Sequence, residues 1–186
     1  GTKVTKMLSA GANNKTASNP KTATVNIRGN ADVVLFPING SGTTDMTKVT
    51  VNVYGGTIQE LRNGRDVGRN LEELELNVYS SDSILKAYKE NDTINKTTIT
   101  LSGVIAELSA WNFPSADTIQ LIENTEITLT AAFPAPTSTL TVASGSKLLL
   151  AKDAKPDLPN YNGEGTVARI DDGSGDDTPQ ASGAEA

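Results

Sequence analysis

Apolar and polar residues alternate in short bursts along this chain, and the bursts recur. "KVTVNVYGGTIQELRNG" (48–64) and "KTTITLSGVIAELSAWN" (96–112) follow one plan: an alternating run, a small turn, then a second apolar patch. Six triplets align on it: Val25-Asn26-Ile27, Val51-Asn52-Val53, Leu76-Asn77-Val78, Ile99-Thr100-Leu101, Ile119-Gln120-Leu121 and Leu140-Thr141-Val142. Their starts lie 26, 25, 23, 20 and 21 residues apart. The outer positions are always Val, Ile or Leu, and the middle one is Asn, Thr or Gln. Period-two alternation predicts strands with one face turned inward.

Each triplet leads into a turn, such as Arg28-Gly29-Asn30, Tyr54-Gly55-Gly56, Ser80-Ser81-Asp82 or Ser144-Gly145-Ser146. A second apolar patch follows: Val33 to Phe36, Ile58 with Leu61, Ile84 with Leu85, Ile105 with Leu108, Ile127 with Leu129, and Leu148 to Leu150. Variation in the period falls mostly in the connections after these patches. A unit of this size cannot bury its own apolar face, whereas stacked equivalents share a continuous core. The pattern therefore predicts an all-β fold, a single parallel β-solenoid of about six coils. At about 4.8 Å per rung, such a rod is roughly 29 Å long. "NLEELELN" (70–77) tempts a helix assignment, but its Leu74-Glu75-Leu76 alternation fits a strand. In this register Asn26, Asn52 and Asn77 are neighbours on one outward face.

Composition narrows the chemistry. The chain has 186 residues, 37% apolar, with aromatics at 4%, so the core must be aliphatic. It contains no cysteine and no histidine, which removes disulfides, thiolate metal sites and the commonest general base. No apolar run is long enough for a membrane-spanning helix. The net charge of −6 is concentrated at residues 163–186, where six acids face Arg169 alone. An acidic chain without a basic stripe is not expected to bind nucleic acid.

The units "VTVNVYGGTIQEL" and "TTITLSGVIAEL" resemble the coils of right-handed parallel β-helix proteins, including secreted gut-bacterial surface proteins that repeat a strand-Gly-Gly-strand unit. The resemblance covers residues 4 to 152 and encodes a fold, not an activity. A second resemblance, carried by "ITLSGVIAELSAWNF" (99–113), is to BspA-like leucine-rich repeats, with Phe133 as the next late Phe. The first implies a non-catalytic structural or adhesive module of a secreted or cell-surface bacterial protein, located extracellularly. The alternative is a carbohydrate-binding or polysaccharide-cleaving β-helix. Polysaccharide or a host or cell-surface protein is the implied partner. "VTKMLSAGANN" from Val4 looks like the second half of a coil, so a longer protein would supply adjoining coils or domains.

No catalytic residue is assigned. Arg28, Tyr54 and Tyr79 fall in one outward column, as a candidate platform for a sugar ring or as a cross-strand group that stabilises neighbouring coils. The loops "RNGRD" (62–66) and "KENDT" (89–93) hold Arg62, Arg65, Asp66, Lys89, Glu90 and Asp92, residue types that a lyase or hydrolase uses and that loops commonly carry. In "DDGSGDD" the carboxylates of Asp171, Asp172, Asp176 and Asp177 are candidate Ca²⁺ ligands, the only cofactor implied; the other reading is a solvated acidic tail. Trp111 and Phe113 are expected as corner plugs. The solenoid is expected over residues 3–155, with 156–186 a C-terminal capping and acidic tail segment. Lys155, Pro156, Asp157 and Pro159 are edge-blocking residues at that end, and the first rung at Val4 lacks any such device.

Overall fold

The computed structural model describes residues 3–9, 22–36, 46–62, 70–89, 93–107, 116–130, 137–151 and 161–170. Among them every regular element is a β-strand and every strand pair is parallel. The chain forms a parallel β-solenoid with a long wall and an opposing wall.

The long wall is one sheet of seven strands: β2 (Thr22–Arg28), β4 (Met46–Tyr54), β6 (Asn70–Val78), β9 (Thr93–Ser102), β11 (Ala116–Ile122), β13 (Thr137–Val142) and β15 (Tyr161–Asn162). The opposing wall has two parts. One runs through β1 (Lys3–Ser9), β3 (Asp32–Phe36), β5 (Gly56–Arg62) and β7 (Ser83–Leu85), with β8 (Tyr88–Lys89) also on β5. The other runs through β10 (Ile105–Glu107), β12 (Glu126–Leu129), β14 (Lys147–Leu150) and β16 (Thr166–Arg169). The coil count thus differs from the expected six. The long wall has seven rungs, and the opposing wall is divided into two four-strand paths. The seventh rung, β15 with β16, comes from residues 161–169, inside the segment expected as a cap.

The register follows the aligned triplets. Val25 pairs with Val51, Val51 with Leu76, Leu76 with Ile99, Ile99 with Ile119, and Ile119 with Leu140. A one-residue slip would turn every inward side chain to solvent, so burial of Val, Ile and Leu on alternate positions fixes it. Val51, Leu76, Ile99, Ile119 and Leu140 are all buried, as are Val53, Val78, Leu101, Leu121 and Val142 in the next inward column. From the opposing wall, Val33, Ile58, Leu85, Ile127, Leu148 and Leu150 close the same core. Each such side chain contributes roughly 1.5–3 kcal/mol when fully buried.

Two apolar positions differ from expectation. Ile84 and Ile105 belong to the second patches, yet they are 39% and 66% exposed. On β7 it is Ser83 and Leu85 that turn inward, and beside β10 the buried residue is Val104. Strands of three residues hold too few positions to fix their own alternation, so the preceding corner sets which side faces in. This is also where the opposing wall divides, between β7 and β10.

Tight corners join the two walls. Ser83 N donates to Ser80 O at 3.2 Å, Thr125 N to Ile122 O at 3.2 Å, and Ser146 N to Ala143 O at 2.9 Å. Beneath them, buried hydroxyls add hydrogen bonds to the backbone of the corners. Thr125 Oγ1 donates to Ile122 O at 2.6 Å and accepts from Val104 N at 3.3 Å, and Thr125 N donates to Ser146 Oγ at 3.1 Å. Trp111, Phe113 and Phe133 lie outside the described residues, as do Lys155, Pro156, Asp157 and Pro159.

Candidate functional site

The outward face of the long wall carries the candidate chemistry, because alternation turns every second side chain of seven neighbouring strands to the same side. Four outward columns run along the axis. The first holds Lys48, Glu73 and Lys96; the second Thr24, Thr50, Glu75, Thr98, Thr118 and Thr139. The third holds Asn26, Asn52, Asn77, Thr100, Gln120, Thr141 and Asn162. The fourth begins with Arg28 and Tyr54, and Tyr79 follows at the next rung.

The three candidate ligand residues do come together. The Tyr54 and Tyr79 rings stack with centroids 4.8 Å apart and planes 12° from parallel. Arg28 Cζ sits 4.2 Å from the Tyr54 ring centroid. Parallel in-register strands impose this arrangement, since one strand spacing is also a stacking distance. Tyr54 therefore has the guanidinium over one face and Tyr79 against the other, leaving ring edges and hydroxyls toward solvent. Burial pushes the Tyr79 hydroxyl above its usual pKa, and Tyr54, Glu123 and Glu75 add to the effect.

Beside this strip the lower half of the wall is bonded to itself. Asn77 Nδ2 donates to Asn52 Oδ1 and Asn52 Nδ2 to Asn26 Oδ1, both at 3.0 Å. Lys48 Nζ lies 2.5 Å from Glu75 Oε1 and 3.4 Å from Glu73 Oε2, and Lys96 Nζ lies 3.6 Å from Glu73 Oε1. Thr50 Oγ1 donates to Glu75 Oε2 at 3.1 Å. The hydrogen bond from Lys48 holds the Glu75 carboxyl below the usual carboxylate range, despite burial, which acts the other way. These carboxylates are committed to lysines and a hydroxyl rather than converging on an open space.

The upper half differs. Thr98, Thr100, Thr118, Gln120, Thr139 and Thr141 form two columns of three. None of the six makes a side-chain hydrogen bond to another described residue. Next to them Ser102 Oγ donates to Glu123 Oε2 at 2.5 Å. Glu123 and Asn124 adopt positive φ of 54° and 61°, rare for residues with a side chain, in the corner after β11. The aligned triplets already name Thr100, Gln120 and Thr141, whereas the second column of Thr98, Thr118 and Thr139 is not named there. The signal available was the Thr-x-Thr spacing in "TIT" (98–100) and "TLT" (139–141), where alternation alone places both hydroxyls outward.

Asp171, Asp172, Asp176 and Asp177 lie outside the described residues, as do Arg65, Asp66, Glu90 and Asp92. Among the described residues no group of three or more His, Cys, Asp or Glu side chains is placed to hold a metal ion. No helix among them is long and apolar enough to cross a membrane. A small cavity lined by Val53, Ile58, Leu76, Val78 and Leu85 is apolar apart from the unpaired Ser83 hydroxyl. No family model, curated protein or solved structure matches the chain.

Proposed function

We propose that the chain is a non-catalytic structural and adhesive module of a secreted or cell-surface bacterial protein, working outside the cell. The observation that carries this reading is the long wall: seven parallel strands in one unbroken sheet over a packed aliphatic core. Stacked coils of this kind act as stiff supports that hold an extended surface, and their loops vary without disturbing the stack. The bacterial and surface part of the proposal rests on the resemblance carried by residues 49–61 and 97–108. A cleaving enzyme needs convergent carboxylates or a base facing bound substrate, and Glu73 and Glu75 are instead engaged by lysines.

The test is adhesion measured together with turnover. Beads carrying the purified chain should be retained on at least one surface among insoluble polysaccharides and immobilised surface proteins, against beads carrying albumin. The same surfaces, incubated with free protein, should release no new reducing ends or unsaturated sugars. Product release would overturn the non-catalytic reading, and retention on none of the surfaces would overturn the adhesive one.

A further inference from the structure

The two halves of the long wall spend their polar groups differently. The lower half closes on itself through the Asn26–Asn52–Asn77 ladder and the Lys48–Glu75–Thr50 contacts. The upper half offers Thr98, Thr100, Thr118, Gln120, Thr139 and Thr141, all half-buried and without partners among the described residues. We infer that this upper face is a binding surface for a neutral, insoluble polysaccharide, held by hydroxyl-to-hydroxyl hydrogen bonds across the grid. The inference rests on the adhesive reading above and names its ligand class.

Spacing comes first. Neighbouring rungs lie about 4.8 Å apart, and outward residues two apart on a strand lie about 6.7 Å apart. Five of the six groups are threonines, whose branched Cβ limits χ1, so their hydroxyls are held in place before any ligand arrives.

Charge selects the ligand. The six side chains are uncharged, so they offer no counter-charge to polyanions such as nucleic acids and acidic polysaccharides. No aromatic face is presented among the six, so a single sugar has nothing to stack on. Each neutral hydrogen bond replaces one to water and gains little alone. Only a partner that meets many groups at once, on a surface as extended as the wall, gains enough to stay bound. Gln120 interrupts strict repetition of the hydroxyls, which suits a polysaccharide better than the regular lattice of ice.

The experiment measures retention on microcrystalline cellulose, starch granules and insoluble mannan, with polygalacturonate gel, immobilised fibronectin and slowly grown ice as comparisons. Wild-type protein should be held by at least one neutral polysaccharide, and soluble oligomers of the same sugar should not release it. A triple variant, Thr100→Val, Thr118→Val and Thr139→Val, keeps shape and strand preference but removes three hydroxyls. It should keep the wild-type circular dichroism and lose about tenfold or more in retention. Tyr79→Ser should stay within about twofold of wild type, since the inferred face does not use that ring. Equal retention of the triple variant, or loss confined to Tyr79→Ser, overturns the assigned face while leaving the module adhesive. Retention only on fibronectin or polygalacturonate, or enrichment in ice without polysaccharide retention, overturns the ligand class. Retention on no surface would instead overturn the adhesive reading itself, and new reducing ends the non-catalytic one.

Discussion

Asn52 occupies the middle of a ladder, donating to Asn26 and accepting from Asn77. A side-chain hydrogen bond contributes about 0.5–1.5 kcal/mol net, so a residue making two matters about twice as much as one making a single bond. Asn52→Ala should lower unfolding free energy by about 1–3 kcal/mol, and Asn26→Ala by about half of that. Urea titrations of both variants check it, and equal losses would mean that the amides do not act as a ladder. The Asn column was legible in the sequence because period-two alternation leaves its middle position no choice of face. The direction of donation along it was not legible, since either amide orientation satisfies the same spacing. Ile84 and Ile105 show the opposite case. Their apolar character points inward by composition, yet the corner before each short strand turns them out.

At the scale of the strand and corner, close approach of successive turns sets which residues fit. Gly56 opens β5 with φ of 97°, and a Cβ placed there would lie 2.6 Å from Ala31 O of the preceding coil. Thr57 N donates to that same carbonyl at 2.7 Å, so the contact cannot simply widen. Gly56→Ala therefore meets both backbone strain and a clash, and should cost about 1–3 kcal/mol. The companion Gly29→Ala has a positive φ of 62° but open space around its Cβ position, and should cost less. Thermal unfolding of the two variants separates the effects, and an equal penalty would show that conformation alone accounts for it. "YGG" announced a turn in the sequence, but which glycine faces a neighbouring coil depends on stacking.

Across the whole molecule, ion pairs between rungs tie coils together and make stability depend on pH. The Glu75 carboxyl is held below its ordinary value, chiefly by the Lys48 hydrogen bond. A group with a folded value below its unfolded one contributes in full above the unfolded value, and that contribution is lost as pH falls through the folded one. Lys48 is shifted upward, first by the hydrogen bond to Glu75, so its contribution is complete below its unfolded value and lost as pH rises through the folded one. The pair thus supports the stack across the neutral range and weakens toward acid and alkali. Glu75→Gln should flatten the acid side of a plot of urea midpoint against pH, with Lys48→Met flattening the alkaline side. Unchanged slopes in both variants would rule the pair out as a source of that dependence.

What the sequence determined by itself was the repeat: the strand type, the inward columns and the rung-to-rung register of the long wall. These follow from alternation and from the need of each apolar face for a neighbour, and both are properties of residue order. The tertiary structure alone decided how the outward groups are spent. Stacking puts Tyr54 between Arg28 and Tyr79, closes the Asn ladder below, and leaves Thr98, Thr100, Thr118, Gln120, Thr139 and Thr141 without side-chain partners among the described residues above. It also decided β15 and the division of the opposing wall. A two-residue strand such as β15 and a three-residue strand such as β7 carry too little pattern to be read alone. They become strands because an adjacent rung offers unpaired backbone groups, and that offer exists only once the coils are stacked.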